Sequence, residues 1–172
     1  MNILHDIDDK RITPAEFIAV VEIPTGSKVK YEIDKETGLL RLDRIEKTGF
    51  RFPMNYGFIP RTLCEDGDAL DVFVVTPETL QPMSLVKCQP VGLIRMVDGG
   101  ERDEKIIAVP VDDPNNDVPK NIVNEIYYFY RYYKSHKPNY VVELAPYENN
   151  RAAAEKMIKE AKEYYAKHGG KK

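Results

Sequence analysis

Tryptophan is missing from all 172 residues, and only two cysteines and three histidines are present. Cys64 and Cys88 cannot build a disulfide framework and fit no zinc spacing. They read as reduced thiols of a cytoplasmic protein, with a single disulfide as the alternative. His5, His136 and His168 stand in terminal or loop contexts without metal-ligand spacing, which points to surface placement. No apolar run is long enough for a signal-peptide core or a bilayer span, so neither secretion nor membrane insertion is expected. A surplus of positive charge is lacking too. With 25 basic and 28 acidic residues the net charge is -3, which argues against general nucleic-acid binding. No repeat or low-complexity segment breaks the chain, and its length predicts one domain over residues 1–172 with a substantial core.

What is present in unusual density is carboxylate. Asp66-Gly67-Asp68-Ala69-Leu70-Asp71 places three aspartates within six residues, and the apolar run Val72-Phe73-Val74-Val75 follows at once. That run is β-branched and aromatic, and it predicts a short buried strand. The carboxylates therefore fall on a tight turn and on the strand's first residues. Two carboxylates ~5 Å apart at an effective dielectric of about 20 repel by roughly 3 kcal/mol. Such a cluster takes up protons or binds a cation, and hard oxygen ligands favour Mg²⁺, Mn²⁺ or Ca²⁺ over zinc. An EF-hand loop is excluded, because Asp71 and Pro77 stand where it needs glycine and glutamate. An aspartyl-phosphate loop would need its strand before the aspartates, not after them. A solvated acidic turn remains the bland alternative.

Phe17 to Ile23 predicts another buried strand, interrupted by Glu22. A carboxylate there is costly unless paired or ligated, so it belongs to a core ion pair or to a site. Val29 to Asp34 alternates strictly, with Val29, Tyr31 and Ile33 on one face and Lys30, Glu32 and Asp34 on the other. Leu39 to Ile45 is the return strand of a hairpin. Its charged face, with Lys30, Glu32 and Arg44, reads as solvated sheet or as a site. Phe50 to Pro60, rich in aromatics, proline and glycine, predicts an ordered loop over the core, with Tyr56 as packing or as a hydroxyl donor. Leu85 to Val97 predicts strand broken at Pro90 and Gly92. It leads into the acidic turn Asp98 to Lys105 and the strand Ile106 to Pro110. Two helices close the chain. Asp117 is the expected N-cap of the first, with Pro119 in its opening turn and Ile122, Ile126, Phe129, Tyr130 and Tyr133 on one face. That stripe leaves Tyr133 open between core and site. Tyr140 to Leu144 is a further short strand. Asn149 or Asn150 caps the last helix, which stops at Gly169 before a frayed tail. The expected fold class is α+β, a closed or strongly curled sheet with helices outside.

The DGDALDV stretch, with VKYEID before it, resembles the signature of the family I soluble inorganic pyrophosphatases. The likeness extends through VVEIPTG, KYEIDKETG, the LDR ending at Arg44, FPMNYGFIP, LQP, the Asp98 to Lys105 turn and Tyr133-Lys134. It implies a five-stranded OB-like β-barrel flanked by helices, and Mg²⁺-dependent hydrolysis of pyrophosphate by direct attack of a metal-activated water. It also implies roles. Asp66, Asp71 and Asp103 would hold an activating Mg²⁺ pair, with Asp98 joining Asp103 at a substrate-borne ion. Asp68 would accept the proton from a water or hydroxide bridging two metals. Glu22 would reach metal or its water shell, and Glu32 would line the cavity. Lys30, Arg44, Tyr56, Lys105, Tyr133 and Lys134 would grip the phosphates. Phe52 replaces a tyrosine of many bacterial members, and Gly99 an acidic residue of some. By the same analogy the expected assembly is a homohexamer. Two other classes compete, a metal-dependent phosphatase for small esters and a nucleic-acid-binding barrel. The mixed signs of the charged positions and the want of a basic stripe with exposed aromatics disfavour the last.

Overall fold

The computed structural model describes residues 2–113 and 118–169. Five strands close a barrel in the order β1 (Phe17–Ile23), β4 (Asn55–Phe58), β5 (Asp71–Val74), β9 (Lys105–Pro110), β6 (Leu85–Ile94). All neighbours are antiparallel except β5 and β9, which run parallel. A two-stranded hairpin of β2 (Val29–Ile33) and β3 (Leu40–Ile45) stands beside it. A small sheet joins β7 (Met96–Asp98), β8 (Glu101–Arg102) and β10 (Val142–Leu144). Helices α1 (Lys120–Tyr132) and α2 (Arg151–His168) pack outside. The architecture is the expected α+β barrel of OB-like type flanked by helices.

The apolar runs are continuous because both faces of the barrel strands are covered. Along β5 and β9, Val72, Val74, Ile106 and Ala108 enter a core cluster completed by Ala154, Met157, Ile158 and Ala161 of α2. The intervening Phe73, Ile107 and Val109 enter a second cluster with Ile126, Phe129 and Tyr130 of α1 and with Tyr133 at its C-cap. The period of two along each strand thus sorts side chains between the two helices.

Several expectations need correction. Phe50 to Pro60 is not only loop, since Asn55–Phe58 forms β4 between β1 and β5. Its composition hides the strand, yet Gly57 is what allows it. A Cβ at Gly57 would lie 1.8 Å from the Val20 carbonyl oxygen. Pro90 and Gly92 do not break β6; they mark a bulge against β9, which absorbs the missing N–H donor. The Asp98 to Lys105 turn contains the β7–β8 hairpin, and β9 starts at Lys105. Tyr140 and Val141 precede β10. Asp117 lies outside the described residues, and α1 has Pro119 at its N-cap with no side-chain cap bond. Asn150 caps α2 by accepting the Ala153 N–H, and Gly169 closes the helix. Residues 170–172, the expected frayed tail, lie outside the described residues. Both cysteines are free thiols. Among the described residues no helix is long and apolar enough to cross a membrane.

Candidate active site

The acidic turn is built by its own backbone. Gly67 takes φ +85°, a conformation that costs glycine nothing sterically. The Asp68 N–H donates to Asp66 Oδ1 at 2.9 Å, and the Cys64 N–H donates to the Asp68 carbonyl at 2.8 Å. Asp66 and Asp68 stay exposed at the turn, while Asp71, the first residue of β5, is half-buried.

A cavity of 760 Å³ opens over this turn. Every residue assigned a role above lines it: Glu22 from β1; Lys30, Glu32 and Arg44 from the hairpin; Tyr56 from β4; and Asp66, Asp68 and Asp71 from the turn. Asp98, Asp103 and Lys105 reach it from β7 to β9, and Tyr133 and Lys134 from the end of α1. No histidine is among the lining residues.

Lysines sit among these carboxylates. Lys105, almost fully buried, bridges Asp71 and Asp103, and Lys134 pairs with Asp98. Burial works against the Lys105 charge, but Asp71, Tyr130 and Asp103 more than offset it and raise its pKa. Lys30 lies 2.5 Å from Glu32 and 3.4 Å from Asp43. Burial raises the Asp71 pKa despite Lys105, and Tyr56 donates a hydrogen bond to that carboxylate. Tyr56 is therefore both packing and donor. The Tyr133 hydroxyl stands 3.5 Å from Asp98 Oδ2, while its ring stacks on Phe129. Glu22 lines the cavity, and no salt bridge to it is found among the described residues. Its Oε1 accepts the Ile33 N–H at 2.9 Å, and burial with the Asp71 charge pushes its pKa up to about 8.

Burial, with repulsion from Asp68, Asp71 and Asp103, also raises the Asp66 pKa. A carboxylate set at odds with its own charge in this way suits a divalent cation, which would relieve the repulsion. Among the described residues no three such groups already stand as a ligand cluster. Instead the Lys105 ammonium stands between Asp71 and Asp103, and Lys134 pairs with Asp98. At Cys64, close to the turn, burial and Asp66 push the thiol up to about 12, which disfavours the thiolate.

Residues that pattern reading missed complete the wall. Lys35, from the hairpin turn, lies 2.5 Å from Asp68 Oδ1 and donates to the Gly67 carbonyl at 3.0 Å. Tyr130, fully buried, puts its ring 5.8 Å from the Lys105 ammonium. It shares the helical stripe with Tyr133, so spacing marked it only as core. Phe52, which brings no hydroxyl, packs its ring 5.4 Å from Tyr56. Gly99 lies at the β7–β8 turn with φ +61°, and Glu101, directly across the strands from Asp98, also lines the cavity.

The family model for inorganic pyrophosphatase matches residues 19–166. The chain belongs to the inorganic pyrophosphatase family. Soluble inorganic pyrophosphatase 2 of Chlamydomonas reinhardtii is 42% identical over 95% of this chain and 88% of its own. The soluble inorganic pyrophosphatase of Oryza sativa subsp. indica is 46% identical over 77% of this chain, which spans 65% of that longer protein. Among solved structures, the inorganic pyrophosphatase of Thermus thermophilus superposes with a TM-score of 0.87 at 33% identity, over 96% of this chain and 99% of that one. That of Helicobacter pylori gives 0.84 at 36% identity, over 90% and 96%. The inorganic pyrophosphatases are hydrolases, and the fold of these relatives is the barrel described above.

Proposed function

We propose that this protein hydrolyses inorganic pyrophosphate to two orthophosphates, with Mg²⁺ as cofactor and by direct attack of water. The observation that supports it best is the cavity's double character. One wall carries Asp66, Asp68, Asp71, Asp98 and Asp103, and the same space receives Lys30, Arg44, Lys105 and Lys134. An acidic wall attracts a small polyanion only through bound cations, while the basic groups grip its outer oxygens. All-carboxylate oxygen donors suit Mg²⁺. Asp66, Asp71 and Asp103 would hold the activating ions, and Asp98 with Asp103 one that arrives with the substrate. Once bound, such a cation neutralises phosphate oxygens and lowers the pKa of the attacking water.

The chain's own groups supply positioning and proton transfer. Arg44 and Lys30 hold one phosphate from the hairpin, while Lys105, Lys134, Tyr56 and Tyr133 hold charge from the barrel and α1. Asp68 sits at the rim with Oδ1 committed to Lys35, and its other oxygen is left to take the proton from the attacking water. Glu22 and Glu32 line the same cavity. The leaving group is itself a phosphate, so no covalent intermediate is needed.

Phosphate release from pyrophosphate, ATP and a phosphomonoester, each with Mg²⁺ and with EDTA, tests the reading. Release from pyrophosphate alone and only with the cation is expected. Comparable turnover of the monoester would defeat it. Two free thiols suit a reducing cytoplasm. A homohexamer, the assembly that the family analogy implies, is checked by light scattering.

A further inference from the structure

The strand end that carries Arg44 is inverted. Ile45 is exposed, while Glu46 is turned inward and buried with its side chain 1% accessible. Arg44 and Glu46 share a face because they are two residues apart on extended chain. Glu46 Oε1 accepts the Arg44 Nε–H at 3.0 Å, and its buried Oε2 has no hydrogen-bond partner among the described residues. A carboxylate so placed is costly, and the one cation it meets among the described residues is Arg44. Such an arrangement needs a reason beyond packing.

We propose that Glu46 is a positioning residue for substrate, acting through Arg44. This rests on the pyrophosphatase reading above. Arginine has a long, rotamer-rich side chain, and an anion that binds it must otherwise order it. Here three contacts fix the guanidinium beforehand. Glu46 takes Nε–H, Asp43 Oδ2 takes an Nη1 hydrogen at 2.7 Å, and the Tyr133 ring lies 5.9 Å from the guanidinium carbon. The remaining N–H groups, Nη2 among them, are left for a phosphate in the cavity that Arg44 lines. Glu46 is itself held: its N–H donates to the Lys28 carbonyl at 2.8 Å, and nearby Thr48 Oγ1 donates to the Tyr133 carbonyl at 2.9 Å. The side chain thus ties the hairpin's phosphate grip to a fixed backbone. Asp43 belongs to the LDR sequence, but nothing in the pattern pointed to Glu46, which is not itself among the cavity-lining residues.

The test is steady-state pyrophosphate hydrolysis with Mg²⁺ for Glu46→Ala, Glu46→Gln and Glu46→Met, each alone and with Arg44→Ala, beside thermal midpoints. Glu46→Ala should raise KM about tenfold, the order of one charge-assisted hydrogen bond, with a smaller change in kcat. Glu46→Gln keeps an acceptor for Nε and should recover most of that loss; Glu46→Met, which fills the space without an acceptor, should not. In the Arg44→Ala background Glu46→Ala should leave KM where Arg44→Ala put it. An unchanged KM in the single variants, or an equal rise without Arg44, would overturn the assignment. So would failure of all three variants to fold, which would make Glu46 structural. If the wild-type protein releases no phosphate from pyrophosphate, the functional reading itself is what falls.

Discussion

Asp71 and Lys105 stand opposite each other in the parallel pairing of β5 and β9, and the Lys105 ammonium is shared between Asp71 and Asp103. Parallel register places the base and the acid side by side on rigid strands, so the pair follows from topology. In the protein alone the ammonium offsets charge that a divalent cation would otherwise offset.

That relationship makes metal binding visible in stability. Saturating Mg²⁺, at about a hundred times its dissociation constant, should stabilise the fold by about 2.7 kcal/mol. For a chain of this size that raises Tm by roughly 8 °C over the value in EDTA. Lys105→Met removes the internal counter-ion, so Asp71 and Asp103 repel. Its Tm in EDTA should fall below wild type, and its Mg²⁺-induced rise should be larger. Calorimetry of both proteins decides. No Mg²⁺ shift in either would count heavily against a metal site at these carboxylates.

A second prediction concerns the loop that conceals a strand. Asn55 is fully buried at the start of β4. Its Oδ1 accepts the Thr25 N–H at 3.2 Å and the Leu80 N–H at 2.9 Å, and its Nδ2 donates to the Glu78 carbonyl at 2.9 Å. Asn55→Ala would leave these backbone groups unsatisfied, at about 1–3 kcal/mol for each one that water cannot reach. A loss of about 3 kcal/mol in urea denaturation is expected, and a midpoint equal to wild type would show that the clip is idle.

Asn55 also shows where legibility ends. Strands such as Phe17–Ile23, Glu22 apart, and residues 106–110 of β9 are plain in the sequence because burial on both faces demands an apolar run. β4 consists of Asn55, Tyr56, Gly57 and Phe58, chosen for a side-chain clip, a site hydroxyl and a close backbone approach. Tertiary demands override strand propensity there. Pro90 likewise reads as a break until the opposite strand is known to receive a bulge. At the site, the DGDALDV turn announces its charge locally. Lys35, Tyr130 and Glu46 matter through partners far away in sequence or hidden by burial, and no local pattern carries that.

Arg44→Lys should separate charge from geometry. Lysine keeps the positive charge but loses the planar fork that meets Glu46 and Asp43 together. Losing a charge-assisted contact made alike in ground and transition state raises KM by about tenfold or more, with kcat nearly kept. Arg44→Ala should go further in KM and also lower Tm, because Glu46 would be left buried without its cation. Normal pyrophosphate kinetics in both variants would remove the hairpin face from the site.

The last prediction isolates Asp68. Its carboxylate shares the turn with Asp66 and Asp71, yet it pairs with Lys35 at the rim rather than with the Lys105 cluster. Asp68→Asn is nearly isosteric and keeps an oxygen, but an amide cannot accept a proton at neutral pH. Loss of a general base costs on the order of 10²–10⁴ in rate. Mg²⁺ affinity should fall only modestly, because Asp66, Asp71 and Asp103 still supply the charged donors. The Lys35 contact has an exposed partner on each side, so its loss should move Tm by little. Raising pH should restore part of the variant's activity, since a larger share of the nucleophile is then already deprotonated. Equilibrium Mg²⁺ titration beside a pH–rate profile separates the possibilities. Near-normal turnover at neutral pH would take Asp68 out of proton transfer, and a variant unable to bind Mg²⁺ would make it a metal ligand instead.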